Sequence, residues 1–157
     1  MHRRGSGDRS RLRVSAGLYV DRPPGDIWRL FADVDRWTEW SPLCRNCRPA
    51  GGGELAVGTD LVMRLDFRLL VVEARTRITR LVPCRRIQWQ AEVLGASFVH
   101  GYGLRPFEGG TLLTNREVIT GLKPAARFLV RRWFRATNLS FESLVGIKRV
   151  AEAIPPS

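Results

Sequence analysis

Between residues 59 and 119 the chain alternates apolar and polar side chains almost without a break, and the interruptions leave room only for tight turns. Strand candidates cover residues 59–65, 69–82, 85–93, 98–106 and 111–119. The separators are Asp66-Phe67-Arg68, Pro83-Cys84, Gly95-Ala96 and Glu108-Gly109. Parallel strands need crossovers of about a dozen residues or more, so connections this short specify an antiparallel meander. Such a sheet must bury one face. Only one other stretch is long enough to cover it. Residues 125–153 read as a single helix, with Leu129, Trp133, Ala136, Ser140, Leu144 and Ile147 along one side.

The N-terminal part supplies the remaining elements. Residues 13–20 place Val14, Ala16, Leu18 and Val20 on one side of a strand and Arg13, Ser15, Gly17 and Tyr19 on the other. Asp21-Arg22-Pro23-Pro24 stops that strand, and Pro24 suits the first turn of a helix carrying Ile27, Trp28, Leu30 and Phe31. A second short helix covers residues 34–40 and ends before Pro42. The expected class is α+β: a curved antiparallel sheet wrapped around a long C-terminal helix, with two short helices after the first strand. A curved sheet gripping a helix leaves a space between them, which is a natural ligand cavity.

A length of 157 residues suits one domain, expected over residues 13–154 behind a basic, disordered tail over residues 1–12. The net charge is +11, yet 24 of the 26 basic residues are Arg, a skew that reflects codon bias as much as phosphate contacts. Five Arg and one Asp fall in the first 13 residues, where a solvated tail is the default reading and a nonspecific polyanion contact the alternative. No run approaches ~18 apolar residues, so no transmembrane helix is expected. The opening MHRRGSGDRSRLR lacks the apolar core of a secretory signal, which makes a reducing cytoplasm the expected compartment.

Turn positions allow the strand register to be worked out. A two-residue loop at Glu108-Gly109 sets His100 opposite Glu117 and Tyr102 opposite Asn115. A loop at Gly95-Ala96 sets Trp89 opposite Tyr102 and Ala91 opposite His100. Leaving out Pro83-Cys84 sets Ile78 opposite Trp89, and a loop at Phe67-Arg68 sets Met63 opposite Val72. All four registers collect Leu61, Met63, Thr76, Ile87, Trp89, His100, Tyr102, Leu113, Asn115 and Glu117 on one face. Arg64, Glu73, Arg75, Arg77, Gln88, Gln90, Arg105 and Arg116 fall on the other. The candidate ligand-binding residues are Met63, Thr76, Trp89, His100, Tyr102, Asn115 and Glu117, a mostly apolar set with a few convergent polar groups.

His100 and Glu117 are the candidates for catalysis. As cross-strand neighbours ~5 Å apart at Cβ they can form a hydrogen-bonded pair. Glu117 can then orient His100 as a general base, either residue can anchor a ligand oxygen, or the two can simply satisfy one another. Trp37 and Trp40 are expected to pack the short helices on the sheet edge, with the cavity mouth as the alternative. Cys44-Arg45-Asn46-Cys47 has the spacing of a redox pair or half a zinc site. It lies between Pro42 and Pro49, away from any helix start, and the only histidines are His2 and His100, so neither a metal nor a cofactor is expected. Arg127, Arg131 and Arg135 recur every four residues beside Arg132. A solvated helix face is the default for them, and a stripe for an anionic membrane or nucleic acid the alternative.

Three segments resemble the SRPBCC superfamily, the START-related helix-grip proteins, and among them the polyketide cyclase/dehydrase-like branch. Val20-Asp-Arg-Pro-Pro-Gly-Asp-Ile-Trp28 is similar to that family's strand and Pro-led helix start. Asp33-Val-Asp-Arg-Trp-Thr-Glu-Trp-Ser-Pro42 resembles its D-x-x-x-W-x-x-W-x-P segment. His100-Gly-Tyr-Gly-Leu-Arg-Pro106, Gly110-Thr111 and Glu117-Val-Ile-Thr-Gly121 follow in the family's order. The resemblance spans residues 14–153 and implies a helix-grip fold that binds or processes apolar small molecules.

Three classes of function follow. The first is noncatalytic binding of a hydrophobic lipid- or polyketide-like molecule in the cavity, and it is favoured. The second is a polyketide cyclase or dehydratase, and the third an interaction protein using its basic surface. No phosphate loop, nucleophile elbow or nucleotide fingerprint is present. The sheet's polar face carries no aromatic residues to stack bases, so specific nucleic-acid binding is not expected. A homodimer is compatible with the sequence.

Overall fold

The structure is a computed structural model that describes residues 11–68, 70–93 and 95–155. Strand β1 (Leu12–Val20) leads into helix α1 (Pro24–Ala32), a 3-10 turn (Val34–Arg36) and helix α2 (Trp37–Trp40). Strands β2 (Cys44–Pro49), β3 (Asp60–Asp66), β4 (Val71–Val82), β5 (Arg86–Val93), β6 (Ala96–Phe107) and β7 (Gly110–Thr120) follow. Helices α3 (Pro124–Thr137) and α4 (Leu139–Ala153) close the chain. All neighbouring strands pair antiparallel, in the order β1-β7-β6-β5-β4-β3-β2. This is the expected helix-grip arrangement, a curved sheet around the C-terminal helical segment.

Leu12 is buried and paired with Ile119, so β1 begins one residue inside the segment expected to be tail. Residues 1–10 of that expected tail lie outside the described residues. No described helix is long and apolar enough to cross a membrane.

Two registers hold and two move. The β6–β7 hairpin turns on Glu108 and Gly109, both at positive φ (47° and 84°), and pairs His100 with Glu117 and Tyr102 with Asn115 as expected. Ile78 faces Trp89, also as expected. That pairing survives because a third turn residue after Pro83-Cys84 is offset by a bulge between Ile78 and Arg80. Between β5 and β6, by contrast, Trp89 faces His100, not Tyr102, and Ala91 faces Phe98, not His100. Gly95 takes the positive-φ turn position there, and Ala96 is already in the strand opposite Val93. Met63 faces Ala74 instead of Val72. The β3–β4 loop is wider than two residues because Asp66 accepts a hydrogen bond from the Arg68 amide (2.7 Å) and the Phe67 amide reaches the Leu70 carbonyl (2.9 Å). Both slips are of two residues, so every side chain keeps its face.

The single helix expected over residues 125–153 is broken. Asn138 sits in the left-handed region (φ 50°, ψ 27°), a conformation Asn tolerates better than most residues, and it separates α3 from α4. The break divides the expected apolar side. On α4, Ser140, Leu144 and Ile147 are buried, with Ser143 and Ala151 beside them, and the helix packs on β1, β7, α1 and α2. On α3 no residue is fully buried, and Leu129 faces solvent at 64% exposure. The far end of α4 is tied down by Arg22, whose guanidinium donates to the carbonyls of Glu152 (3.1 Å) and Ile154 (2.9 Å).

The core joins these layers through aromatic rings. Phe31 of α1 stacks on Tyr102 of β6 at 5.0 Å, and Trp37 of α2 packs on Trp89 of β5 at 4.7 Å. A methyl at Gly146 of α4 would meet the Trp40 carbonyl oxygen at 2.0 Å, so glycine is what lets α2 lie against α4.

Candidate functional site

Between the concave sheet face and the helices lies a cavity of about 500 Å³, a size suited to a small organic ligand. The sheet contributes Met63 and Leu65 from β3, Val72, Ala74 and Thr76 from β4, Trp89, Ala91 and Val93 from β5, Phe98, His100 and Tyr102 from β6, and Glu117 from β7. Helix α2 adds Trp37 and Trp40, and the loop after it adds residues 41–43. Val130, Trp133 and Phe134 of α3 close one side, while Leu139, Ser140 and Ser143 of α4 form the floor beside the polar groups.

Apolar carbon forms nearly all of this surface because alternation delivers it. Every second residue of β3 to β6 points inward, and those positions are Met, Leu, Val, Ala, Trp and Phe. The polar exceptions converge. His100 Nδ1 bonds to Glu117 Oε2 across the β6–β7 ladder. Asn115 donates from Nδ2 to His100 Nε2 (3.4 Å) and to Ser143 Oγ (3.1 Å), and Ser143 in turn donates to the Ser140 carbonyl (3.1 Å). An acceptor role for Nε2 puts the imidazole proton on Nδ1, donating to Glu117. The imidazole stacks on Trp89 at 4.8 Å and 24°. Both ring nitrogens of His100 are therefore engaged by the protein itself.

Tyr102 lies beneath this group, 2% exposed. Burial pushes its phenol well above the usual range. Contacts with Ser143 and Asn115 offset part of that, and the nearby Glu117 carboxylate adds to it. The phenol stays protonated and is a hydrogen-bond donor, not a base. Asn115 Oδ1 is buried and has no hydrogen-bond partner among the described residues. Thr76 directs its hydroxyl to Met63 Sδ (3.7 Å), leaving the middle of the sheet floor apolar in character.

Of the seven residues expected to bind ligand, Met63, Thr76, Trp89, His100, Tyr102 and Glu117 line the cavity. Asn115 lies behind them, 1% exposed, and is hydrogen-bonded to His100 and Ser143. Sequence reasoning missed Ser143, although its i+3 spacing from Ser140 places it on the same helix side. It assigned Trp37 and Trp40 chiefly to packing, and both are buried in the core while forming part of the cavity wall. Cys44 and Cys47 are free thiols buried in β2, hydrogen-bonded to one another. That bond and burial push the Cys47 thiol up, while the bond pulls Cys44 down. Among the described residues no three His, Cys, Asp or Glu side chains cluster to hold a metal.

The sequence matches, over residues 11–152, the family described as polyketide cyclase/dehydrase and lipid transport. No curated protein sequence matches the chain. Among solved structures, the di-domain ARO/CYC StfQ from the steffimycin biosynthetic pathway superposes with a TM-score of 0.74 at 17% identity, covering 91% of this chain and 51% of that one. This chain thus spans about half the length of that di-domain protein. The Zhui aromatase/cyclase from Streptomyces sp. R1128 gives a TM-score of 0.74 at 15% identity, covering 90% and 94%. Ara h 8.0201 gives 0.66 at 10% identity, covering 92% and 99%. At these identities the likeness is one of fold.

Proposed function

This chain belongs to the polyketide cyclase/dehydrase and lipid transport family, and on that premise we propose that it binds an apolar small molecule of lipid or polyketide type. The ligand occupies the cavity, its carbon skeleton against Met63, Thr76 and Trp89 and its oxygen atoms toward Tyr102 and toward Glu117, which His100 holds in place. The proposed role of the polar groups is anchoring. One observation carries this reading: His100 has no free ring nitrogen, since Glu117 holds Nδ1 and Asn115 holds Nε2. A general base needs a lone pair aimed at the substrate proton, and here that lone pair is spent inside the network.

Cyclase or dehydratase activity is the second reading. Its support is the fold shared with aromatase/cyclase proteins and the placing of a carboxylate, Glu117, in the wall of an apolar cavity that also holds the Tyr102 donor. Substitution separates the two. Tryptophan fluorescence titrated with tetradecanoic acid and with a hydroxyanthraquinone reports binding through Trp37, Trp89 and Trp133. In a binder, His100→Ala and Glu117→Gln each weaken affinity by ~1 kcal/mol or somewhat more. In an enzyme, turnover of a poly-β-ketone substrate falls about 100-fold or more while affinity is largely kept. Wild-type affinity for both probes in both variants contradicts the site assignment.

A further inference from the structure

The outer side of α3 has no role in the cavity and is not a solvated face of ordinary composition. Between residues 121 and 141 the chain carries Lys123, Arg127, Arg131, Arg132 and Arg135 and no Asp or Glu. Elsewhere four arginines find carboxylates among the described residues: Arg29 with Asp26, Arg36 with Glu39, Arg45 with Asp66 and Arg77 with Asp60. Among the described residues no carboxylate pairs with the four arginines of α3. Phe128 and Leu129 lie among them, 66% and 64% exposed, the two most exposed large apolar side chains described. Phe128, Arg131, Arg132 and Arg135 fall at i, i+3, i+4 and i+7, so Phe128 heads a stripe whose next three positions on the same side of the helix are arginines. Leu129 flanks them.

We propose that α3 is the face by which this protein docks on an anionic lipid bilayer. Phe128 and Leu129 enter the boundary between headgroups and acyl chains, and Arg131, Arg132 and Arg135 bind lipid phosphates. An unpaired cationic helix with protruding apolar side chains matches such a surface in charge and in polarity. Base stacking accounts for one aromatic residue but leaves Leu129 without a partner, and a second copy of the chain would set arginines against arginines. The docking face stands whatever the cavity holds. Because Val130, Trp133 and Phe134 on the other side of α3 line the cavity, docking brings the cavity against the membrane.

The test is cosedimentation of the full chain with vesicles of phosphatidylcholine alone and of mixed phosphatidylcholine and phosphatidylglycerol. Binding is expected to the mixed vesicles and to fall as salt is raised. R131Q/R132Q/R135Q is expected to weaken it about 100-fold, at about 5-fold per arginine. F128S/L129S is expected to weaken it roughly 10-fold or more. R3Q/R4Q/R9Q in the tail is expected to weaken it less than the helix triple. All three sets lie on exposed or terminal positions, and unchanged thermal melting confirms that fold is not the cause. The proposal is overturned by any of four results: no binding to the mixed vesicles at low salt, binding that depends on the tail and not on α3, tighter retention on duplex DNA through the same arginines, or a dimer in sedimentation velocity that F128S/L129S dissolves.

Discussion

Substituting Gly146 by Ala tests how closely the cavity wall depends on a single hydrogen. In an open helix position this change stabilises by about 1 kcal/mol, because Ala is the better helix former. Here the new methyl carbon would stand 2.0 Å from the Trp40 carbonyl oxygen, 3.0 Å from its carbon and 3.2 Å from its α-carbon. Carbon and oxygen approach no closer than ~3.3 Å even in favourable contacts, so α2 must retreat by ~1.3 Å. The obstacle is backbone on both sides, and no rotamer change relieves it. Overpacking of this kind costs ~1–3 kcal/mol and occasionally more; with the helix-propensity gain of about 1 kcal/mol subtracted, a net loss of about 1 kcal/mol is expected, rising to about 2 kcal/mol at the upper end. Urea denaturation should then show a lower midpoint with an unchanged slope. Affinity for apolar probes should drop as well, because Trp37 and Trp40 ride on α2 into the cavity wall. Gly25→Ala is the matched control. It lies in α1 with nothing within 4 Å of its added methyl, and should raise stability by a few tenths of a kcal/mol. A Gly146→Ala protein as stable as wild type, or two variants that move in the same direction, would refute the close packing of α2 on α4.

Other substitutions probe other joints. Asn138→Gly should leave stability nearly unchanged, while Asn138→Ala should cost ~1 kcal/mol in chemical denaturation, because only the latter meets the steric penalty of the left-handed conformation. Phe31→Ala removes a fully buried ring stacked on Tyr102 and should cost ~3–5 kcal/mol by the same assay. Arg22→Met strips two carbonyl contacts from the end of α4 and should lower stability by ~1–2 kcal/mol, with hydrogen exchange accelerating first at the last turn of that helix. Met63→Glu should abolish binding of apolar probes, since an unpaired charge in that wall costs several kcal/mol.

The sheet was legible because period-two alternation is strong and because its turns advertise themselves. Glu108-Gly109 identified its hairpin to the residue, and with it the His100–Glu117 pair. The two registers that slipped did so where sequence is ambiguous. Gly95 can serve as the first or second residue of a turn, and the Asp66 side chain captured a loop amide that no periodicity reports. Face assignment survived both slips because each moved by an even number of residues. The helix break was not legible: a lone Asn within an otherwise helical pattern is compatible with continuation, and only the need for α3 to lean over the cavity while α4 packs on the sheet selects the left-handed turn. For the same reason the inward positions of Val130 and Phe134 could not be read from the phase of α4. Asn115 was correctly placed on the inner side, but alternation reports the face and not the depth, so its place behind His100 was not readable.

The central claim is that the space between sheet and helices is a binding cavity for an apolar molecule, and native mass spectrometry addresses it most directly. Wild-type protein and Ala91→Trp, whose indole would fill the cavity from β5, are incubated with a total apolar extract of cells and analysed side by side. The account predicts a saturable one-to-one adduct, extractable into organic solvent, on the wild-type chain and its absence from the filled variant. Wild-type protein that stays bare at saturating extract, or an adduct that persists undiminished on Ala91→Trp, would contradict it.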